Sequence, residues 1–203
     1  AKYQNLKSQT ENVVVNPTQL PTNMIDNLIE DLESLKPDDF LIKSKVVANE
    51  NEQEGEIKEN IRKSNHAWIP SAHWIGGFLW HYVDRINQEN FLYDISGYDN
   101  NSLQYTQYSK GGYYKLHSDQ DITNITYPNE IVRKLSFTLQ LSSGNDYTGG
   151  DIQFNTVDGK SFLAPRNRGC MIVFDSRTHH QVLPIESGLR KSLVGWIVGP
   201  RWK

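Results

Sequence analysis

The sequence has little cysteine, no long apolar run and no excess of positive charge. Its one cysteine, Cys170, has no partner for an internal disulfide, which fits a reducing compartment. No stretch approaches the roughly 18 consecutive apolar residues of a transmembrane helix, so no membrane partner is expected. The formal net charge of −3 gives no electrostatic reason for binding to a phosphate backbone, so a nucleic-acid partner is not expected. The N-terminal residues also lack the basic and then apolar pattern of a signal peptide, and we expect a cytoplasmic protein.

The composition of the chain predicts a folded domain. With 37% hydrophobic and 11% aromatic residues, the chain can bury a core and differs from a disordered sequence. A length of 203 residues is near the upper end of what one domain usually contains, so we expect a single domain over residues 1–203. Within it, residues 1–91 are expected to form an N-terminal arm and supporting helices, and residues 92–203 the core.

Two helices are predicted in the N-terminal part. Residues 1–23 are polar and are interpreted as an extended arm, and the apolar residues of Met24–Leu35 then follow the three-and-four spacing of a helix stripe. A second helix is predicted from Ser71 to about Asn90. Four apolar residues there stand four positions apart: Trp74, Phe78, Tyr82 and Ile86. Between the helices, Val46–Val47 are predicted to form a short strand and the acidic run 49–60 a solvated loop.

Beyond residue 92 the period of the apolar residues changes from helix-like to strand-like. Nine short strands are predicted: Tyr93–Ser96, Leu103–Tyr108, Tyr113–His117, Arg133–Leu141, Asp151–Asn155, Lys160–Leu163, Cys170–Asp175, His180–Pro184 and Lys191–Val198. Turn signals rich in glycine and asparagine separate them. Many short strands without helical periods between them argue for a sandwich or jelly roll rather than a parallel α/β sheet. The predicted fold class is mainly β with flanking helices (α+β), built on a cupin-like double-stranded β-helix.

The triplet His117-Ser118-Asp119 is a candidate metal site. Residues i and i+2 of a strand project to the same face, so its imidazole and carboxylate point to one place. Alone, the triplet is a weak signal, and a polar strand end would be the favoured interpretation. However, His180 begins a later strand, and two imidazoles with one carboxylate are the iron ligands of non-haem Fe(II) oxygenases. Arg190 follows in the next strand, and its planar fork suits the remote carboxylate of a dicarboxylic acid.

Further motifs accompany these residues in a fixed order. They are Tyr108, Gly111–Gly112, Tyr113–Tyr114, His117 with Asp119, the strand Arg133-Lys-Leu-Ser-Phe-Thr-Leu-Gln-Leu141, Gly149–Gly150, His180-Gln-Val-Leu-Pro184 and Gly188-Leu-Arg190-Lys-Ser-Leu193. With this joint pattern, residues 103–202 resemble the prolyl-hydroxylase branch of the Fe(II)- and 2-oxoglutarate-dependent oxygenases, which includes bacterial and phage members. The resemblance covers about half of the chain. The N-terminal half matches only loosely, as helices that support the sheet.

The resemblance implies a metal site and a cosubstrate site. His117, Asp119 and His180 are the expected iron ligands, and together with Arg190 they are the expected catalytic residues. Arg190 is expected to bind the distal carboxylate of 2-oxoglutarate, and Tyr108 to donate its hydroxyl to the same cosubstrate. The implied cofactors are Fe(II), 2-oxoglutarate and O2, with ascorbate as a stimulant.

The resemblance also implies roles for three residues around this site. Arg133 is expected to contact the substrate peptide, and Trp196 to line the substrate pocket near the iron. Gln140 stands where some relatives have a tyrosine that helps to bind the cosubstrate. It is therefore a cofactor-binding candidate whose contact is either altered or supplied by another residue.

Several of these residues have a structural alternative. His179 competes with His180 for the metal, but neighbours in a strand point to opposite faces, and the His-x-Val-x-Pro pattern of the family selects His180. A packed strand tyrosine is the alternative for Tyr108, and a plain core residue is the alternative for Trp196. Cys170 precedes an apolar strand and is interpreted as buried filler rather than as a reactive thiol.

The activity implied by the resemblance is hydroxylation of an unactivated C–H bond, with a proline-containing protein or peptide as the expected substrate and partner. One alternative is a nucleic-acid demethylase of the same superfamily, but such relatives carry a second arginine where this chain has Trp196. The other alternative is a catalytically silent β-sandwich binding module, which would be expected to have lost a ligand or the arginine. If the protein is viral, the expected compartment is the cytoplasm of the host.

Overall fold

The computed structural model describes residues 4–5, 12–35, 42–43, 61–120, 131–156 and 158–202. Its helices are α1 (Thr22–Ser34) and α2 (Trp74–Ile86), and a π-helical turn, Asn87–Phe91, continues α2. The strands are β1 (Gln4–Asn5), β2 (Val13–Asn16), β3 (Ile42–Lys43), β4 (Arg62–Lys63), β5 (Asn65–Pro70), β6 (Gly97–Tyr108), β7 (Tyr113–His117), β8 (Ile131–Gln140), β9 (Tyr147–Gly149), β10 (Ile152–Asn155), β11 (Ser161–Leu163), β12 (Met171–Asp175), β13 (His180–Val182), β14 (Ile185–Gly188) and β15 (Arg190–Pro200). The predicted strand at 46–47 and the predicted loop at 49–60 lie outside the described residues.

The strands form two main sheets. The larger sheet has the strand order β1-β2-β12-β8-β15-β6-β5-β3, and the smaller has the order β11-β10-β13-β7-β4. A two-stranded ribbon of β14 and β9 completes the described strands. The strand pairs are antiparallel, and these four join strands that lie far apart in the sequence, as in a jelly roll. The predicted fold class, mainly β with flanking helices on a double-stranded β-helix, is confirmed.

The outer face of the larger sheet is covered by the two helices. The helical residues buried there are Ile25, Leu28 and Leu32 of α1 and Ile75, Leu79, Val83 and Ile86 of α2. They share one core cluster with sheet residues such as Leu103, Phe137 and Leu193. Each such aliphatic side chain contributes about 2 kcal/mol by leaving water, so this face holds the helices against the sheet that carries the site.

The buried stripe of α2 is not the one that the four-residue spacing suggested. Ile75, Leu79 and Val83 are buried, whereas Trp74, at 44% exposure, is exposed. The aromatic residues form a ladder beside the buried stripe, with ring centroids 6.1 Å apart for Trp74 and Phe78. The helix is thus turned by about one residue from the predicted face, with Phe78 and Tyr82 packed against the edge of the core and Ile86 buried in it.

The inner faces of the two sheets enclose a second core. Val15 and Phe174 from the larger sheet lie in one cluster with Phe154 and Val182 from the smaller sheet. Phe154 is fully buried and contacts Phe174 edge to face, with ring centroids 5.0 Å apart. This core lies beside the residues predicted for the metal site and keeps water from one side of them.

Four strands of the larger sheet, β1, β2, β3 and β5, come from residues 1–91, the part of the chain that was predicted to be an arm and helices. β2 pairs with β12, with Val14 opposite Val173, and β5 pairs with β6, with Ile69 opposite Leu103. All four residues of β2 are buried, so the strand shows no alternation of apolar and polar residues that would announce it. The N-terminal residues therefore contribute to the sheet itself as well as supporting it.

Eight of the nine predicted strands overlap an observed one, and the prediction of a strand at Tyr93–Ser96 is wrong. The side chain of Asn87 donates to the carbonyl oxygen of Tyr93 and accepts from its N–H, both at 2.9 Å. Because a side chain satisfies these backbone groups, the segment needs no partner strand. Leu92, at φ 56°, also turns the backbone sharply out of the preceding helix.

No helix within the described ranges is both long enough and apolar enough to cross a membrane.

Candidate metal centre

Strand pairing brings the two predicted histidine ligands together. His117 ends β7, His180 begins β13, and the two residues are direct partners across these antiparallel strands. Asp119 lies in the turn after β7, where its N–H donates to the carbonyl oxygen of Ser176 at 2.9 Å. Ser176 follows β12 and its own N–H donates to the carbonyl oxygen of Lys134 at 3.1 Å. Both sheets thus fix the position of the carboxylate relative to the imidazoles.

The three side chains converge closely enough to hold one metal ion. One ligand atom from each of His117, Asp119 and His180 lies within 4.8 Å of the other two. The carboxylate oxygen Oδ1 of Asp119 is 3.3 Å from Nε2 of His117 and 3.7 Å from Nε2 of His180. It is the only such cluster of at least three His, Cys, Asp or Glu residues in the described part of the chain.

The ring nitrogens of both histidines are oriented by backbone carbonyls. Nδ1 of His117 lies 2.7 Å from the carbonyl oxygen of Lys115, and Nδ1 of His180 lies 3.0 Å from that of Thr178. In each neutral ring, Nδ1–H donates to that carbonyl and Nε2 keeps a free lone pair, which is how proteins orient metal-binding histidines.

The free lone pair of His117 is left facing an acceptor. Its Nε2 is buried without a hydrogen-bond partner, and the nearest charged atom is a carboxylate oxygen of Asp119. Two acceptors this close repel each other unless a cation lies between them. The donor set therefore fits a divalent metal ion.

Burial and charge set the protonation of these groups in the direction that metal binding needs. Burial lowers the pKa of His180, which favours the neutral imidazole. Burial would raise the pKa of Asp119, but positive charge on His180 and His117, present when these rings are protonated, outweighs that effect and lowers the pKa. Two neutral imidazoles and a carboxylate are the protonation states in which these residues bind a metal.

Aromatic rings shield the cluster from water. Tyr114 stacks on the ring of His117, with centroids 3.6 Å apart and planes 18° apart. Phe174 contacts His180 edge to face at 4.7 Å. Burial raises the pKa of Tyr114 to about 12, so its hydroxyl stays protonated at neutral pH. Tyr114 was quoted above only as part of a motif, and nothing in the spacing indicated its stacking role.

Of the two neighbouring histidines, His180 points to the cluster. Its side chain is buried, whereas His179 is exposed on the other side of the strand. The carbonyl oxygen of His179 accepts a hydrogen bond from the N–H of Asn155, so His179 contributes to the sheet through its backbone. Strand alternation thus separates the two as expected.

Arg190 is buried in the same cavity without a counter-ion. It is 1% exposed, and its NH2 group donates to Oε1 of Gln140 at 2.9 Å. NH1 has a longer contact of 3.5 Å to the hydroxyl of Ser192, and Nε is buried with no partner. No carboxylate in the described residues forms an ion pair with it. A buried charge is costly unless it is paired, and the described partners of Arg190 are all neutral.

Gln140 and Tyr108 lie on either side of Arg190. Gln140 is buried, and its carboxamide oxygen accepts from the guanidinium, so this residue holds the arginine directly. Tyr108 is the cross-strand partner of Arg190, with its ring centroid 5.6 Å from the guanidinium carbon. Tyr108 also lines the cavity, where its side chain can reach a ligand.

Trp196 lines the cavity, and Arg133 packs on its ring without lining the cavity itself. The guanidinium carbon of Arg133 lies 4.5 Å from the centre of the Trp196 ring, and an ion pair at 2.6 Å joins Arg133 to Asp99. The indole N–H of Trp196 is buried without a partner. The exposed Trp68 extends this surface, with its ring centroid 6.0 Å from that of Trp196.

Four buried polar atoms without partners line one cavity. They are Nε2 of His117, Oγ1 of Thr138, Nε of Arg190 and the indole nitrogen of Trp196. Unsatisfied polar groups are rare in protein interiors, so four of them around one cavity make it the candidate place for polar ligands. The cavity also contains Arg62, Gln104 and Thr138, which the sequence did not single out. Thr138 belongs to the strand motif quoted above without a role of its own, whereas Arg62 and Gln104 match no motif, so only the fold brings those two to the site.

Comparison with known proteins gives one family. The family model described as the 2OG-Fe(II) oxygenase superfamily matches residues 103–198. A PKHD-type hydroxylase from Synechococcus elongatus is 31% identical over 144 residues, which are 70% of this chain and 60% of that protein. The chain spans about half the length of the curated relatives that it matches.

Solved structures with the same fold include prolyl hydroxylases. A Pseudomonas putida prolyl-4-hydroxylase matches with a TM-score of 0.69 and 20% identity, covering 97% of this chain and 96% of that one. A prolyl hydroxylase from Trichoplax adhaerens, in complex with a peptide fragment of hypoxia inducible factor, matches with a TM-score of 0.72 and 16% identity, covering 96% and 86%. At these identities the likeness is one of fold.

Proposed function

The chain belongs, through residues 103–198, to the 2OG-Fe(II) oxygenase superfamily, and from this premise we propose that it is a dioxygenase that hydroxylates a prolyl residue of a peptide or protein. The superfamily uses Fe(II), 2-oxoglutarate and O2. The observation that carries the proposal is that Arg190, buried without a counter-ion, shares one cavity with the cluster of His117, Asp119 and His180.

The metal ligands in this proposal are His117, Asp119 and His180. Their free Nε2 atoms and carboxylate oxygen suit Fe(II), which accepts imidazole and carboxylate ligands and keeps positions open for other molecules. When bound, Fe(II) with 2-oxoglutarate and O2 supplies the oxidising power for C–H hydroxylation and releases succinate and CO2. The single negative charge of Asp119 offsets half of the charge of the ion, and the rest attracts an anionic cosubstrate.

Arg190 binds the distal carboxylate of 2-oxoglutarate in this proposal. Gln140 and Ser192 orient the guanidinium but, being neutral, leave its positive charge for the ligand. A planar fork pairs with both oxygens of a carboxylate at once. Tyr108, across the strand, is the candidate donor of a further hydrogen bond to the same group.

Support for a prolyl substrate comes from the mouth of the cavity. Trp196 and Trp68 offer aromatic surface there, and Arg133 lies against it as the candidate donor to a peptide carbonyl. Aromatic grooves are a recurring way to bind proline-rich extended peptides. The fold shared with prolyl hydroxylases agrees with this assignment.

The test is turnover with Fe(II), 2-oxoglutarate and a library of proline-containing peptides. We expect succinate to form together with a peptide heavier by one oxygen atom, and amino-acid analysis to locate the hydroxyl on proline. His180→Ala should abolish both products, and the matched variant His179→Ala should keep both. Lack of 2-oxoglutarate consumption by wild-type protein would contradict the oxygenase assignment, and hydroxylation of another residue type would contradict only the prolyl substrate.

A further inference from the structure

A second buried arginine lines the cavity. Arg62 is 8% exposed; its Nε donates to the hydroxyl of Ser64 at 2.8 Å, and its NH2 group donates to Oε1 of Gln104 at 2.7 Å. Its guanidinium carbon lies 4.9 Å from the centre of the Tyr114 ring, which stacks on His117. We call Arg62, Ser64, Gln104 and Tyr114 the Arg62 site. It lies on the side of the cavity where the metal ligand His117 is.

The Arg62 site repeats the construction around Arg190. In both, a buried guanidinium donates to a glutamine carboxamide and contacts the serine two positions later in the sequence. The glutamine lies on the neighbouring strand for Arg190 and in the opposite sheet for Arg62. In both, a tyrosine ring lies beside the guanidinium, at 4.9 Å for Arg62 and 5.6 Å for Arg190. All of these acceptors are neutral, so each arrangement orients a cation without neutralising it.

Other arginines of the described chain are paired with carboxylates. Contacts of 2.6–3.1 Å join Arg85, Arg133, Arg166, Arg168 and Arg177 to an aspartate or glutamate. Over residues 61–120, 131–156 and 158–202 no such contact is found for Arg62 or for Arg190. Both are more deeply buried than the paired ones, which is the opposite of what the cost of burying a charge would favour.

The charges of the cavity leave one positive charge uncompensated. The charged side chains that line it are Arg62, Arg190 and Asp119. A divalent metal ion and the dianion 2-oxoglutarate cancel each other, so the loaded cavity keeps the charge of one arginine. Arg190 is the proposed partner of the cosubstrate, and the uncompensated guanidinium is then that of Arg62.

We propose that Arg62 binds a carboxylate of the substrate, so that the protein selects a substrate with an acidic group next to the carbon that is hydroxylated. This inference rests on the proposed function, because it assigns the second carboxylate of the cavity to the molecule that is oxidised. The carboxylate comes either from a chain end or free amino acid, or from an acidic side chain adjacent to the reactive residue.

Direct binding of a carboxylate tests the Arg62 site without knowledge of the substrate. Wild-type protein carrying Fe(II) and one equivalent of 2-oxoglutarate, under nitrogen, is dialysed to equilibrium against radiolabelled acetate or its neutral analogue acetamide. We expect acetate to be retained and acetamide not. Arg62→Met, similar in length but uncharged, should lose the retained acetate, and Arg62→Lys should keep part of it because the charge remains. The surface variant Arg85→Met is the matched control and should behave as wild type.

Three matched peptides then separate the two sources of the carboxylate. They are acetyl-Ala-Pro-Ala-amide, acetyl-Ala-Pro with a free carboxylate, and acetyl-Asp-Pro-Ala-amide. One acidic peptide should exceed the neutral one in kcat/KM by about 30-fold or more, and Arg62→Met should remove that preference. Which acidic peptide is preferred identifies the source.

Each outcome decides the inference. Equal retention of acetate and acetamide by wild-type protein overturns the proposal. Acetate retention at the wild-type level in folded Arg62→Met protein overturns it too. Because Arg62→Lys should lose part of the acetate, full retention by that folded variant has the same consequence. Equal but measurable kcat/KM values for the three peptides overturn it as well, whereas zero turnover of all three by wild-type protein contradicts the prolyl substrate of the proposed function, and the acetate result then decides the inference. Failure of the proposed function is recognised separately, because wild-type protein would then retain no radiolabelled 2-oxoglutarate in the same dialysis.

Discussion

Replacement of Arg190 should weaken the binding of 2-oxoglutarate while leaving the metal site intact. The side chain is 1% exposed, and its partners Gln140 and Ser192 are neutral. A carboxylate bound there would be paired with a desolvated guanidinium, and removal of one partner of such a pair costs about 2–5 kcal/mol. That range corresponds to a loss of about 30- to 4,000-fold in affinity for the cosubstrate.

The assay compares Arg190→Met, Arg190→Lys and wild-type protein. The apparent KM for 2-oxoglutarate is measured from succinate formation, and Fe(II) content from metal analysis of dialysed protein. Arg190→Met should raise KM by the range above with an unchanged iron content. Arg190→Lys should restore only part of the affinity, because an ammonium group replaces a planar fork with a point charge.

An unchanged KM in Arg190→Met would refute the reasoning. Arg133 and Lys191, the nearest alternatives by sequence, are already paired, with Asp99 and Glu33, at 2.6 Å each. The cosubstrate would then have to be assigned to Arg62, and the carboxylate of the substrate would lose its proposed partner. Arg85→Met, which removes a surface arginine, is the control for general effects of losing a positive charge.

Three further predictions test the metal site, the pH dependence and the packing of the sheet. His180→Ala should lose bound Fe(II) and His179→Ala should keep it, as measured by metal analysis, and the reverse result would contradict the ligand assignment. Burial lowers the pKa of His66 to about 4, so the unfolded chain takes up a proton below pH 6.5 that the folded chain does not. The free energy of unfolding should therefore fall by up to about 3 kcal/mol between pH 7 and pH 4, and His66→Phe should flatten this slope in urea titrations; an identical slope would rule out His66 as its source. Gly195→Ala should lower the free energy of unfolding by about 1–3 kcal/mol, because a Cβ at this position of β15 would overlap the ring of Phe137. A stability equal to that of wild type would show that the ring can move aside.

Short-range patterns in the sequence account for two features of the cluster of His117, Asp119 and His180. His117 and Asp119 are two positions apart, and strand geometry alone aligns such residues. The choice of His180 over His179 follows from the same alternation, and the buried side chain of His180 agrees with it. These features depend on local chain geometry, which the residue order determines.

Features that depend on distant pairing could not be predicted. Arg62 reaches the cavity because the chain passes from the smaller sheet at β4 to the larger sheet at β5, and no local pattern records this crossing. Gln140 was considered as a contact of the cosubstrate, but its observed partner is Arg190. Its carboxamide can hold either a ligand or a guanidinium, and only the three-dimensional neighbours decide which.

The pairing of β2 with β12 has a consequence for how the chain folds. Val14 pairs with Val173, and β12 in turn connects β2 to β8 at the centre of the larger sheet. During synthesis, the three consecutive valines of β2 emerge early but have no β12 partner until most of the chain has been made. Contacts so far apart in sequence slow folding and leave an apolar strand exposed meanwhile. The nascent chain should therefore be most prone to aggregation before β12 emerges from the ribosome, and its tendency to aggregate should fall once Met171–Asp175 can close over β2.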